Sequence, residues 1–112
     1  MNKVNLAEVM LEKTHGGPGH KRALVKKEEV KNQNLMFMNE VYVPSNSEVK
    51  MHVHPDLEEI HYIILGTGKI CVDNQYTKIK KGDRIIVPPQ KEHSIINAGN
   101  SMMKYICFGI KL

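Results

Sequence analysis

The chain has 112 residues, with 16 Lys or Arg against 12 Asp or Glu and a formal net charge of +4, and that length suits one domain around one hydrophobic core. It holds no apolar run of about eighteen residues, the length a membrane-spanning helix needs, and its opening MNKVNLAEVM has neither an apolar signal core nor a small-residue cleavage site, so no membrane partner and a cytoplasmic location are expected. The basic excess gathers in residues 1–35, with seven Lys or Arg against four Glu, but it lacks the dense, aromatic-interleaved patch of a nucleic-acid binder and suits small anions better.

In chain order, Asn5-Leu6-Ala7-Glu8 has the form of a capping box. Leu6, Val9 and Met10 follow at helical spacing, which predicts a short helix over about 6–13. Residues 14–20, THGGPGH, are a loop by composition. The loop is no hydrolase oxyanion loop, since no Gly-x-Ser-x-Gly elbow exists elsewhere. Nor is it a phosphate-binding loop, since no Gly-Lys-Ser or Gly-Lys-Thr opens a helix after it. The mixed-sign run KKEEVK at 26–31 predicts a solvated strand edge or loop.

Strands are predicted over 22–25 and 35–43. In the second, Met36, Met38, Glu40 and Tyr42 share one face; Leu35, Phe37, Asn39, Val41 and Val43 share the other. Alternation leaves open which face turns inward. Pro44 to Ser47 is a turn. Strands follow over 48–54 and 59–65, parted by Pro55, which cannot donate to a ladder. Gly66-Thr67-Gly68 turns the chain into a hairpin of 69–72 and 76–79 about Asp73-Asn74-Gln75. After a turn at Lys81-Gly82-Asp83 come strands over 84–87, 93–97 and 102–112, with a loop at 88–91 and a turn at 98–101. Short strands at regular spacing predict an all-β sandwich or barrel. Cys71 and Cys107 form no CxxC pair and read as buried thiols.

Two stretches concentrate chemistry. In MHVHPDLEEIHYIILG, 51–66, His52 and His54 are spaced to share one face of a strand, and Glu59 opens the next strand. In GDRIIVPPQKEHSIIN, 82–97, His93 supplies a third imidazole. A lone His-x-His is more often two polar residues on a wet face. Three imidazoles and a carboxylate are a set suited to a first-row divalent metal. If Glu59 faces inward, His61, Ile63 and Leu65 share that face, and Ile60, Tyr62 and Ile64 lie on the other. His93 facing inward takes Ile95 and Asn97 with it.

These stretches resemble the paired motifs of the cupin superfamily. The first family motif runs Gly, five residues, His-x-His, three or four residues, Glu, six residues, Gly. Here it reads Asn46, His52, His54, Glu59, Gly66. The second runs Gly, five residues, Pro-x-Gly, two residues, His, three residues, Asn, and here reads Gly82, Pro88, Gln90, His93, Asn97. The match spans residues 46–97 and departs at two turn positions. Asn46 tolerates the left-handed conformation nearly as well as glycine, whereas Gln90 is expected to adopt another turn geometry.

The resemblance implies an all-β double-stranded β-helix, a cupin jelly-roll barrel, with residues 1–34 as an N-terminal arm and Gly-rich loop and 35–112 as the barrel core of a single domain. It implies that His52, His54, Glu59 and His93 bind one divalent transition metal (Mn, Fe, Ni, Co or Zn), leaving two octahedral positions free. The family contains isomerases and epimerases, decarboxylases and dioxygenases. The expectation is therefore a metal-dependent enzyme acting on a small oxygen-rich substrate, with a non-catalytic module for a sugar-like ligand as the alternative. His61, two residues past Glu59 on the same face, is the candidate proton-transfer residue; a core histidine is its competing reading. Small cupins with a similar His-Gly-Gly-x-Gly stretch make His15 a pocket candidate, and Asn97 is a second. A homodimer is expected through Ile60, Tyr62 and Ile64 with the N-terminal strand.

Overall fold

Turn chemistry cuts the described residues into ten strands. The computed structural model describes residues 1–14 and 17–112. The strands are β1 (Glu12–Lys13), β2 (His20–Lys26), β3 (Leu35–Val43), β4 (Ser47–His52), β5 (Leu57–Leu65), β6 (Thr67–Val72), β7 (Gln75–Lys80), β8 (Arg84–Val87), β9 (His93–Asn97) and β10 (Met103–Lys111). They form two antiparallel sheets, ordered β1-β2-β3-β10-β5-β8 and β4-β9-β6-β7. This is the double-sheet jelly roll that the motifs imply. No helix among the described residues is long and apolar enough to cross a membrane.

Among the described residues, four that are not glycine adopt positive φ, and each sits where the chain reverses. Asp73 (φ 50°) and Asn74 (φ 64°) make the two-residue loop between β6 and β7, whose positive dihedrals match the right-handed twist of the flanking strands. Asn46 has φ 56°. Gln90 has φ 64°, so it keeps a left-handed backbone rather than adopting another geometry. Its N–H donates to the His54 carbonyl at 3.0 Å. That bond ties the loop before β9 to the segment after β4, and so holds the two histidine-bearing stretches together.

The core lies between the sheets. Val43, Ile63, Ile95 and Met103 are each at most 1% exposed. Burial alternates along β5 and β10 as a half-buried strand requires.

Two expectations are corrected here. The N-terminal helix is only a 3₁₀ turn, Leu6–Glu8. Asn5 caps it by accepting the Ala7 N–H at 2.9 Å, but Arg22 Nε then donates to the Val9 carbonyl at 3.2 Å. The chain runs on extended into β1, which pairs with β2. Tertiary hydrogen bonds override a weak local propensity. Leu65 does not share the inner face of Ile63, for it is 42% exposed. The β10 register shifts between Lys104, which pairs with Leu65, and Tyr105, which pairs with Ile63. One extra residue in β5 reverses the facing beyond it.

Candidate metal centre

Both sheets contribute to one cluster. His52 ends β4 and lies directly opposite His93 on β9. Their ring centroids are 4.2 Å apart, and that of His54, just beyond β4, is 5.2 Å from His52. Glu59 arrives from β5 in the other sheet. One ligand atom from each of His52, His54, Glu59 and His93 can be chosen so that all lie within 4.8 Å of one another. Glu59 and His93 are buried, while His52 and His54 are half-buried at the mouth. The cluster is thus reachable from solvent on one side and dry on the other.

The orientation of the rings suits a cation. His52 Nδ1 is 2.7 Å from the Lys50 carbonyl, and His93 Nδ1 is 3.2 Å from the Lys91 carbonyl. A carbonyl only accepts, so each Nδ1 carries the proton and each Nε2 presents its lone pair. His93 Nε2 is buried and has no hydrogen bond of acceptable geometry, although Glu59 Oε1 is 2.7 Å away. His54 Nε2 lies 3.7 Å from Glu59 Oε2. Oriented imidazole lone pairs beside an ionised carboxylate fit a divalent transition ion.

Electrostatics keep the carboxylate charged. Burial alone raises the Glu59 carboxyl, but contacts with His61 and His93, and their charge, outweigh it and hold the group well below the usual carboxylate range. Burial lowers His93, yet the adjacent Glu59 carboxylate more than offsets this and raises it. In such a site a divalent ion competes with the proton for His93.

Two further side chains, His61 and Cys107, lie against Glu59. His61 Nε2 is 3.4 Å from Oε1, and its ring stacks on Tyr105 with centroids 5.0 Å apart and planes 10° from parallel. Cys107, directly opposite His61 on β10, donates its thiol proton to Glu59 Oε2 at 3.4 Å. Burial, and then the charge of Glu59, push this thiol well above its ordinary range.

The cluster opens into a cavity of about 220 Å³. Phe37, Val41, Val49 and Ile95 make apolar walls, and Lys21 and Asn39 add polar groups. Apolar walls with a few placed polar atoms are the make-up of a small-ligand site.

The other predicted site residues fall elsewhere. Asn97 is buried but does not line this cavity. Its amide donates to the carbonyls of Val43 (3.0 Å), Pro44 (3.2 Å) and Ser101 (2.8 Å) and accepts the Gly99 N–H (3.1 Å). It is a latch between two turns, because every polar atom of its side chain is spent on backbone. His15 lies outside the described residues. Lys21, Asn39, Tyr105 and Cys107 were not singled out by sequence reasoning. Pairing β10 against β5 with Cys107 opposite His61 is the signal that finds the last two.

A two-sheet β-barrel with three imidazoles and a carboxylate converging at one open end defines a class of small jelly-roll barrels with a candidate metal site. The model of the Cupin domain family matches residues 39–109, and the chain belongs to that family. An uncharacterized protein of Methanocaldococcus jannaschii is 43% identical over 68 residues, 61% of this chain and 54% of that protein; the chain spans about half the length of that relative. The oxalate-binding protein of Thermotoga maritima is 33% identical over 89 residues, 80% of this chain and 73% of that protein. The crystal structure of a predicted oxalate decarboxylase from Thermotoga maritima superposes with a TM-score of 0.90 at 28% identity, covering 99% of this chain and all of that one.

Proposed function

We propose that this chain binds one divalent first-row transition ion through His52, His54, Glu59 and His93, and that it is a metal-dependent enzyme acting on a small oxygen-rich anion of the oxalate kind. The pinned Nδ1 atoms of His52 and His93 carry the reading, since they turn both Nε2 lone pairs inward. A bound ion would supply a Lewis-acidic point to which two anionic oxygens can attach. Lys21 offers the anion a cation at the cavity wall, and the apolar walls exclude water from it. His61 holds a proton at Nε2, beside Glu59 Oε1, and is the group proposed to move it.

The oxalate class is favoured over sugars for two reasons. A relative and a solved structure, both from Thermotoga maritima, carry oxalate in their names. A sugar would bring several hydroxyls against Phe37, Val41, Val49 and Ile95, which offer no side-chain hydrogen-bond partner. A decarboxylase type of chemistry is accordingly placed ahead of isomerase and dioxygenase types.

One observation favours a non-catalytic binding protein as the second reading. Among the described lining residues, Glu59 is the only carboxyl group, so a separate carboxylic acid is not at hand to deliver a proton. Calorimetric titration of oxalate into manganese-loaded and metal-free protein, with a parallel assay for formate and carbon dioxide, separates the cases. Metal-dependent binding with product formation is expected. Binding without product transfers the conclusion to the second reading, and no binding to the loaded protein overturns both.

The protein is further proposed to be a homodimer through the outer face of β5 and β8, where Tyr62 and Ile86 are 45% and 47% exposed beside Ile60. Equilibrium sedimentation at the monomer mass would refute this.

A further inference from the structure

The metal reading leaves one part of the cluster unused. Glu59, His61 and Cys107 are all buried, all line the cavity, and offer one ligand atom each within 4.8 Å of one another. The separations are informative. His61 Nε2 to Oε1 and Cys107 Sγ to Oε2 are both 3.4 Å. A charge-assisted N–H···O bond is shorter, about 2.7–2.9 Å. Metal–nitrogen and metal–oxygen bonds of about 2.0–2.1 Å at tetrahedral angles give ligand–ligand edges of about 3.4 Å. The His61 spacing thus matches the edge of a four-coordinate site better than a tight hydrogen bond, and the longer metal–sulfur bond of about 2.3 Å accommodates the Cys107 contact with the other Glu59 oxygen.

The donors are also held in place. The His61 ring is stacked on Tyr105, and strand pairing sets Cys107 opposite His61. His61 Nδ1 is buried without a hydrogen-bond partner, so the proton that Nε2 holds beside Glu59 can pass to Nδ1 and free the Nε2 lone pair for a metal.

We propose that Glu59, His61 and Cys107 form a second cation position, sharing the Glu59 carboxylate with the three-histidine set and selective for thiophilic ions such as Zn²⁺, or Co²⁺ in its place, over Mn²⁺. Thiolate ligation provides the selectivity, because soft sulfur favours zinc and cobalt while manganese keeps to oxygen. As the metal–sulfur bond forms, the Cys107 thiol gives its proton to solvent, with no change of oxidation state. The site fills second. It must deprotonate a buried thiol, and its histidine lacks the Nδ1–H···O=C bond that supports His52 and His93. The proposal does not depend on the identity of the small anion.

The test is a cobalt titration of the full chain followed by near-ultraviolet absorption. A thiolate-to-cobalt charge-transfer band is expected to grow with the second equivalent. It is expected to vanish in Cys107→Ser, and to persist in Cys71→Ser, which removes the other buried thiol, and in His93→Ala. No band at excess cobalt, or a band surviving in Cys107→Ser, overturns the proposal. X-ray absorption of the zinc-loaded wild type requires no variant. A zinc–sulfur path of about 2.3 Å supports the second position, and a shell of nitrogen and oxygen alone at two equivalents overturns it. Cobalt held by one equivalent without the band would leave the proposed function standing while removing this inference, so the two failures are distinguishable.

Discussion

Replacing Asn97 with Ala separates a structural role from a role in the pocket. The side chain is 1% exposed and makes four contacts with backbone groups, three donated and one accepted. Two amide protons serve three carbonyls, so the interaction is shared rather than three full bonds. An unsatisfied buried polar group costs about 1–3 kcal/mol, and a typical net hydrogen bond contributes about 0.5–1.5 kcal/mol. The bond to Val43 is buried and its carbonyl is left without this donor, whereas those at Pro44, Gly99 and Ser101 are part-buried and regain water. The expected loss is about 2–4 kcal/mol, a large share of the roughly 5–15 kcal/mol that a domain has in total. Urea unfolding of the metal-free protein measures it. Metal stoichiometry is expected to stay at the wild-type value in the folded variant. Unchanged stability combined with lost metal or anion binding would refute the reasoning, for it would put Asn97 at the pocket after all. Asn97→Asp sharpens the test: it keeps the acceptor for Gly99 but sets a negative charge against three carbonyl oxygens. It should be less stable than the Ala variant at neutral pH and recover partly on acidification.

His52→Ala and His93→Ala are each expected to abolish stoichiometric manganese binding while the β-sheet circular dichroism spectrum survives; full manganese occupancy in either variant would show that the ligand set is misassigned. The metal-free protein should be most stable between the ordinary carboxylate and histidine values, 4.5 and 6.5. Glu59 is depressed in the fold, so its contribution is present above 4.5 and is lost as pH falls through its lowered pKa. His93 is raised, so its contribution is complete below 6.5 and is lost as pH rises through its raised pKa. Urea midpoints that climb steadily from pH 5 to 8 would contradict that sign. Metal affinity should move the other way and tighten as His93 loses its proton. Lys21→Ala should weaken oxalate binding about fivefold, the equivalent of about 1 kcal/mol for a partly exposed charge; calorimetry showing no change would remove Lys21 from the site.

What the sequence reveals depends on whether the cause is local. β3, β8 and β9 have the predicted bounds because turn residues flank them, with positive φ at Asn46 after β3, Gly82 before β8 and Gln90 before β9, and turn chemistry acts over three or four residues. Three of the four clustered ligand candidates were legible because His-x-His and a carboxylate five residues on are fixed by short spacings, although β4 ends at His52 and leaves His54 just beyond it; His93 was legible only through the second motif. The N-terminal helix was not legible, because its competitor, the bond from Arg22 to the Val9 carbonyl, comes from a strand thirteen residues away. Nor was the facing of Leu65, which depends on a bulge seen only when β5 is paired with β10. Lys21 belongs to a strand whose alternation did not announce which side turns inward. Gln90 is the reverse case. A residue unsuited by type takes the left-handed backbone that the motif's glycine would have taken, because its N–H is held by His54; tertiary closure dictates the dihedral and the side chain tolerates it.

The strands also explain why the site can be altered without unfolding the protein. Along β5 the inward face reads Glu59, His61, Ile63, and along β9 it reads His93, Ile95, Asn97. Each strand therefore passes from polar donors at the mouth, through a fully buried isoleucine, and β9 ends on a side chain that closes the far turn. Ile63 and Ile95 carry the packing with Val43 and Met103. Truncating His93, itself buried, opens a gap beneath the half-buried His52 and His54, from which water can enter, and leaves that layer intact. Truncating Asn97 breaks the closed end, where backbone carbonyls depend on it. The alternation that buries the core also sorts the inward residues by depth, so chemistry collects at one end and stability at the other, and substitutions two turns of the pleat apart have opposite consequences.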